Sequence, residues 1–148
     1  MTIVSETYDY LVTNIQTTLG SNWFRLNNPL DTANNWSLFL KKGWCVVAGP
    51  MSNTKRSICA TTSFSRDYTV TLTKEILEQE ASFDIDAKDI LEGIALINQF
   101  VDDNANVRLN SGTVNMEIIS DTGLVPIGDE NGKFIFSEIT IKVEMYMS

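Results

Sequence analysis

Three aspartate-bearing motifs are the first places in this sequence to look for chemistry. Asp121-Thr122-Gly123, preceded by Ile118-Ile119, is the triplet with which an aspartic protease presents a catalytic carboxylate. That reaction needs two carboxylates sharing one proton to activate a water, so a small protease would have to act as a dimer. Only residues 124–148 follow the triplet, too few for a flap and its supporting strands, and it is read as an Asp/Gly turn that ends a strand. Asp84-Ile85-Asp86-Ala87-Lys88 and Asp102-Asp103-Asn104-Ala105-Asn106 both open like calcium loops. Their sixth positions hold Asp89 and Val107 where the turn needs Gly, and their twelfth hold Ala95 and Thr113 where bidentate binding needs Glu. Both are read as helix-end carboxylates, with adventitious surface calcium as the alternative.

The other ingredients of catalysis are sparse. The 148 residues include no histidine, which removes Ser-His and Cys-His nucleophiles, His-ligated zinc and the usual near-neutral proton switch. Cys45 and Cys59 sit in apolar or strand-like runs, spaced like neither a metal ribbon nor a redox pair, and are expected to be free buried thiols. Gly43 and Gly49 bracket a strand without any phosphate-loop pattern. Trp23, Trp36 and Trp44 read as core or loop anchors. The expectation is no enzyme: no catalytic residues, no cofactor and no metal.

Charge is the more informative property. Lys and Arg number 11 and Asp and Glu 19, a net charge of −8. Residues 1–74 carry seven basic side chains against four acidic, whereas residues 75–148 carry four against fifteen. A net-acidic chain binds phosphate backbones poorly, because such binding comes from neutralising phosphates. Two surfaces of opposite sign would suit copies that meet head to tail. The acidic run Glu75, Glu78, Glu80, Asp84, Asp86, Asp89 and Glu92 reads as a solvated face, a repulsive lining or the acidic half of an interface. Lys55-Arg56, in a polar turn, is the best exposed basic pair for an acidic neighbour. No apolar run approaches the ~20 residues of a spanning helix, and the start Met1 to Glu6 shows no export signal, so no membrane contact is expected.

The elements that would position these residues follow from periodicity. Tyr8, Leu11, Val12, Ile15 and Leu19 predict a helix over residues 5–19, capped by Ser5 and ended at Gly20. Residues 20–43 read as irregular, a loop pinned by Trp23, Phe24, Trp36 and Phe39 or an arm for a neighbour. Trp44–Ala48 predicts a strand ended by Gly49-Pro50. Strand character returns over Ser57–Phe64 and then, past a bend or bulge at Ser65-Arg66-Asp67, at Tyr68, Val70 and Leu72. Ile90, Ile94, Ile97 and Val101, with Leu91 and Phe100, predict a helix from Asp86 as cap to Val101. Val114, Met116 and Ile118 predict a strand, Asn131-Gly132 a hairpin, and Ile139, Ile141, Val143, Met145 and Met147 a last strand. The order predicts one α+β domain over 1–148: an antiparallel or mixed β-sheet with two main α-helices packed on one face.

This layout resembles the tail terminator (tail completion) proteins of long-tailed bacteriophages. The likeness is carried by the N-terminal helix, the Gly49–Arg56 hairpin, Arg66-Asp67-Tyr68-Thr69-Val70-Thr71-Leu72, the Asp86–Val101 helix and Ile139-Thr140-Ile141-Lys142-Val143-Glu144-Met145-Tyr146. It covers most of the chain as architecture and pattern, and the Asn/Trp-rich stretch 22–40 departs from it. The resemblance implies a virion structural protein of the tail or neck, assembled in the host cytoplasm. It implies a homo-oligomeric, hexameric ring that caps the tail tube, meets the tail tube protein and the head-tail connector protein, and passes DNA through its channel without specific binding. The residues singled out for contact are Lys55, Arg56 and Arg66 on the basic side and Asp129 and Glu130 on the acidic side. Two other readings stand beside it: another neck or tail-tube component, or a cytoplasmic ligand-binding domain built around a deep pocket.

Overall fold

The computed structural model describes residues 2–28, 35–53, 63–76, 80–129 and 132–147. In chain order the elements are α1 (Ile3–Leu19), β1 (Phe24–Arg25), α2 (Trp36–Lys41), β2 (Lys42–Asn53), β3 (Ser63–Glu75), α3 (Glu80–Asp103), β4 (Asn106–Leu109), β5 (Gly112–Asp121), β6 (Val125–Asp129) and β7 (Gly132–Met147). The class is α+β. All seven strands join one mixed sheet in the order β1-β2-β3-β7-β5-β4, with β6 also paired to β7. Among the described strands only the β1–β2 pair is parallel.

β7, 16 residues long, organises the sheet. One edge pairs with β3 from Ser63↔Tyr146 to Glu75↔Phe134. The other edge is divided, β5 taking the Ile139–Met147 half and β6 the Gly132–Phe136 half. Period-two alternation therefore sorts every side chain of the central strands onto one of two faces. Tyr68, Val70 and Leu72 of β3 and Ile139, Ile141, Val143 and Met145 of β7 face the long helices and are fully buried. Burying each such aliphatic side chain contributes about 1.5–3 kcal/mol, which is why this face fixes the register.

α1 and α3 cover that face together, as the sequence predicts. α1 starts two residues before the expected Ser5: Thr2 is the cap, its hydroxyl accepting from Ser5 N at 3.3 Å. Its buried stripe is Ile3, Thr7, Leu11, Ile15 and Leu19, every fourth residue, while Tyr8 and Val12 pack only at its margin. α3 begins at Glu80, six residues before the expected cap, so Asp86 lies inside the helix and is buried. Leu91, expected on the buried stripe, is 50% exposed.

The sequence also places β2 too short. The strand continues through Gly49-Pro50, and the break appears instead as a register shift between Ala48 and Met51. β1 pairs with β2 only at Gly43 and Trp44, so Pro50 falls on an outer edge where its missing N–H costs no ladder bond. Across from it Ser65-Arg66-Asp67 stays in regular register with β7, so the expected bend belongs to the partner strand. The expected strand over 57–62 lies outside the described residues.

The 20–43 stretch is not wholly irregular. α2 sits on the second face of the sheet, where Phe39, Leu26 and Cys45 form a small separate cluster with Phe24, Trp36 and Leu40 around it. Gly43 permits this approach: a Cβ there would run into the Phe39 backbone. Trp23, Leu26 and Phe39 are all buried, so the described part of the stretch is anchored to the domain.

Candidate interaction surfaces

The first surface is the helical layer. α1 contributes Glu6 and Asp9 and no basic residue, and α3 has seven acidic residues against Lys88 alone. These two helices thus hold a net −8, the value of the whole chain, while strands and connections balance to zero. Two polar ties fix the layer to the sheet. Lys74 Nζ, reaching up from β3, stands 3.7 Å from Asp86 and 3.4 Å from Asp89. At the other helix, Glu6 accepts from the backbone N–H groups of Asn110 and Ser111 and, at 3.0 Å, from the Ser111 hydroxyl, holding α1 to the β4–β5 turn. The outward carboxylates Asp9, Glu92, Asp102 and Asp103 enter no ion pair among the described residues.

The second surface is the far side of the sheet. Among the described residues, α2 covers one end of it and nothing covers the other end. Cross-strand register places Asp67, Lys142 and Glu117 side by side on β3, β7 and β5, with Thr69↔Thr140 in the next row but one. Asp67 and Glu117 are exposed. Lys142 pairs instead with Glu144 at 3.6 Å, and Glu144 also accepts a 2.6 Å bond from Tyr146, which raises the Tyr146 pKa, burial adding to it. Asn115, Glu117, Lys142 and Glu144 line a shallow depression of about 220 Å³ here. No spacing in the sequence marks this group; it exists only once the register of three strands is known.

Of the residues singled out for contact, Arg66 and Asp129 are described, and they lie toward opposite ends of β7. Arg66 pairs in register with Val143, and Asp129 with Gly132, so about 35 Å of β7 separates them at ~3.3 Å per residue. Arg66 is half-buried on the helix side, its Nε without a partner. Tyr68 stands beside it, fully buried, its pKa raised by that burial. Lys55, Arg56 and Glu130 lie outside the described residues. In sequence, no acidic residue occurs between Asp31 and Asp67, whereas Lys41, Lys42, Lys55, Arg56 and Arg66 all fall there.

The motifs read for chemistry resolve into local structure. Asp121 ends β5 and is exposed, its carboxylate accepting from Gly123 N at 2.8 Å in a turn that carries the chain from β5 to β6 along β7. The Thr122 hydroxyl accepts from Glu138 N at 3.0 Å, locking that turn to the central strand. The Asp84–Lys88 stretch lies within α3, and Asp102–Asn106 runs from its end into β4, so neither forms a loop. Among the described residues no group of three or more His, Cys, Asp or Glu is placed to hold a metal ion. Cys45 is buried, its thiol pushed up by desolvation, against which Thr71 bonds act. Cys59 lies outside the described residues. No helix among the described residues is long and apolar enough to cross a membrane.

Compared with known proteins, the chain matches no family model and no curated sequence. The surfaces themselves are therefore the ground for a functional reading: an acidic helical layer and a polar sheet face that α2 covers at one end.

Proposed function

We propose that this chain is a structural protein of a phage virion, which forms a closed ring at the end of the tail tube and joins it to the head connector. The observation that carries the reading is the separation of charge by layer: α1 and α3 hold a net −8, while strands and connections balance to zero. In sequence the two halves differ as well, residues 1–74 carrying seven basic side chains against four acidic and residues 75–148 four against fifteen. A ring closes through heterologous contacts, each copy offering one patch to a different patch on the next, so opposite charge on the two patches favours closure and disfavours wrong pairings. In that ring Lys55, Arg56 and Arg66 of one copy are the contacts proposed for Asp129 and Glu130 of its neighbour.

The helical layer has a second task. Carrying −8 on α1 and α3, it repels a phosphate backbone at any distance within the Debye length, about 8 Å in physiological salt. A channel lined by it passes DNA without holding it. The arrangement of α+β sheet and paired helices agrees with the resemblance to tail terminators, whose members work through stacking and not through reactive side chains.

Gold-tagged protein imaged on purified tails tests this directly. Label confined to the head-proximal end of the tube is the expected result. Label spread along the tube would make the chain another tail component, and no binding to tails would remove the reading.

A further inference from the structure

We infer that the second face of the sheet is a self-complementary docking surface for another copy of this chain, with α2 as the knob and the open end as its seat. α2 stands on this face with Leu38 45% exposed and Lys41, one turn further on, exposed beside it. At the open end the apolar element is Val47, 49% exposed and paired with Thr69, and the charged element is Asp67 and Glu117. An apolar and cationic knob thus matches an apolar and anionic seat. Among the described residues, five of the face's outward charges are acidic (Asp67, Glu75, Glu117, Glu138, Glu144) and three are basic (Lys41, Arg108, Lys142), of which Lys41 is the one that α2 carries.

Knob and seat cannot meet within one chain. α2 leads directly into Lys42, which pairs with Lys74, and Asp67 lies seven residues away along the same β3, about 23 Å at ~3.3 Å per residue. Two copies laid face to face about a two-fold axis bring them together twice, each Lys41 reaching the other copy's Asp67. Near that axis stands Glu138, exposed and paired with Thr71 midway between the two. Its copy would face it, and this like-charge pair opposes association. The contact does not depend on the ring reading, since two chains complete it.

Zero-length carbodiimide cross-linking of the full-length protein, followed by mass spectrometry, is the test. A Lys41–Asp67 cross-link is expected, together with a band of twice the chain mass, because the span within one chain is too long. Lys41→Glu or Asp67→Lys is expected to weaken association at least tenfold in sedimentation equilibrium, the two together to restore it, and Glu138→Gln to tighten it. All are at exposed positions, and circular dichroism checks that each variant folds. Association without this cross-link, or a double variant no tighter than either single one, would overturn the docking assignment while leaving the ring reading standing. Tube-end labelling lost while the cross-link persists would do the reverse.

Discussion

Lys74 reaches from the middle of the sheet to α3 and lies between Asp86 and Asp89, 3.7 Å and 3.4 Å away. Asp86 is 5% exposed, and one of its oxygens is buried without a hydrogen bond, so its charge depends on that lysine. Removing one partner of a buried ion pair leaves the other desolvated and unpaired. Lys74→Ala is therefore expected to cost about 1–3 kcal/mol in urea unfolding. Asp89→Ala, at a half-exposed partner, should cost less than about 1 kcal/mol.

The same pair explains a boundary that the sequence misplaces. Asp86 followed by Asp89 reads as a helix start because short acidic residues favour that position. Here Lys74 supplies the compensating charge from a distant strand, so an aspartate can sit within the helix. No local pattern reports a partner twelve residues upstream. α1, by contrast, is legible almost to its ends, because Leu11, Ile15 and Leu19 bury one face at helical spacing. The central strands are legible for a similar reason: Tyr68, Val70 and Leu72 and Ile139, Ile141 and Val143 alternate against polar neighbours. The two-residue β1 and the short α2 carry too few residues to show a period. The row Asp67, Lys142 and Glu117 shows in no sequence spacing because those residues are adjacent only across strands.

Gly112 is expected to tolerate no side chain. It begins β5 opposite Met147, and a Cβ there would collide with the Tyr146 carbonyl oxygen of β7. Backbone meets backbone, so no rotamer change relieves it. Gly112→Ala should lose at least about 2 kcal/mol in thermal or denaturant unfolding.

Glu6 holds the start of α1 to the β4–β5 turn through both of its oxygens. Glu6→Ala is expected to cost about 1–2 kcal/mol and to raise amide exchange at Asn110 and Ser111 above that of the β7 core. Glu6→Gln keeps an acceptor and should recover part of the loss.

Stability should fall at alkaline pH. Burial raises the pKa of Tyr68 above its ordinary value of 10.0, and that of Tyr10 likewise. The folded state therefore keeps a proton that the unfolded chain releases. This contribution is complete below about pH 10 and is lost as pH rises through the folded values. Unfolding free energy against pH should decline above about 10, and Tyr68→Phe should shallow the decline.

Cys45 should react slowly. Its thiol is buried and its pKa raised by desolvation, so little thiolate is present. Iodoacetamide at mildly alkaline pH is expected to modify it much more slowly than a small free thiol, and unfolding in urea should abolish the protection.

The central claim is that this protein acts through contacts between identical copies, and the mass of the particle tests it most directly. Light scattering on the purified chain, alone and with isolated tail tubes, should give a single closed assembly of several copies that dissociates as salt screens the opposite charges of the contacting patches. A mass equal to one chain under every condition, tubes included, would contradict it.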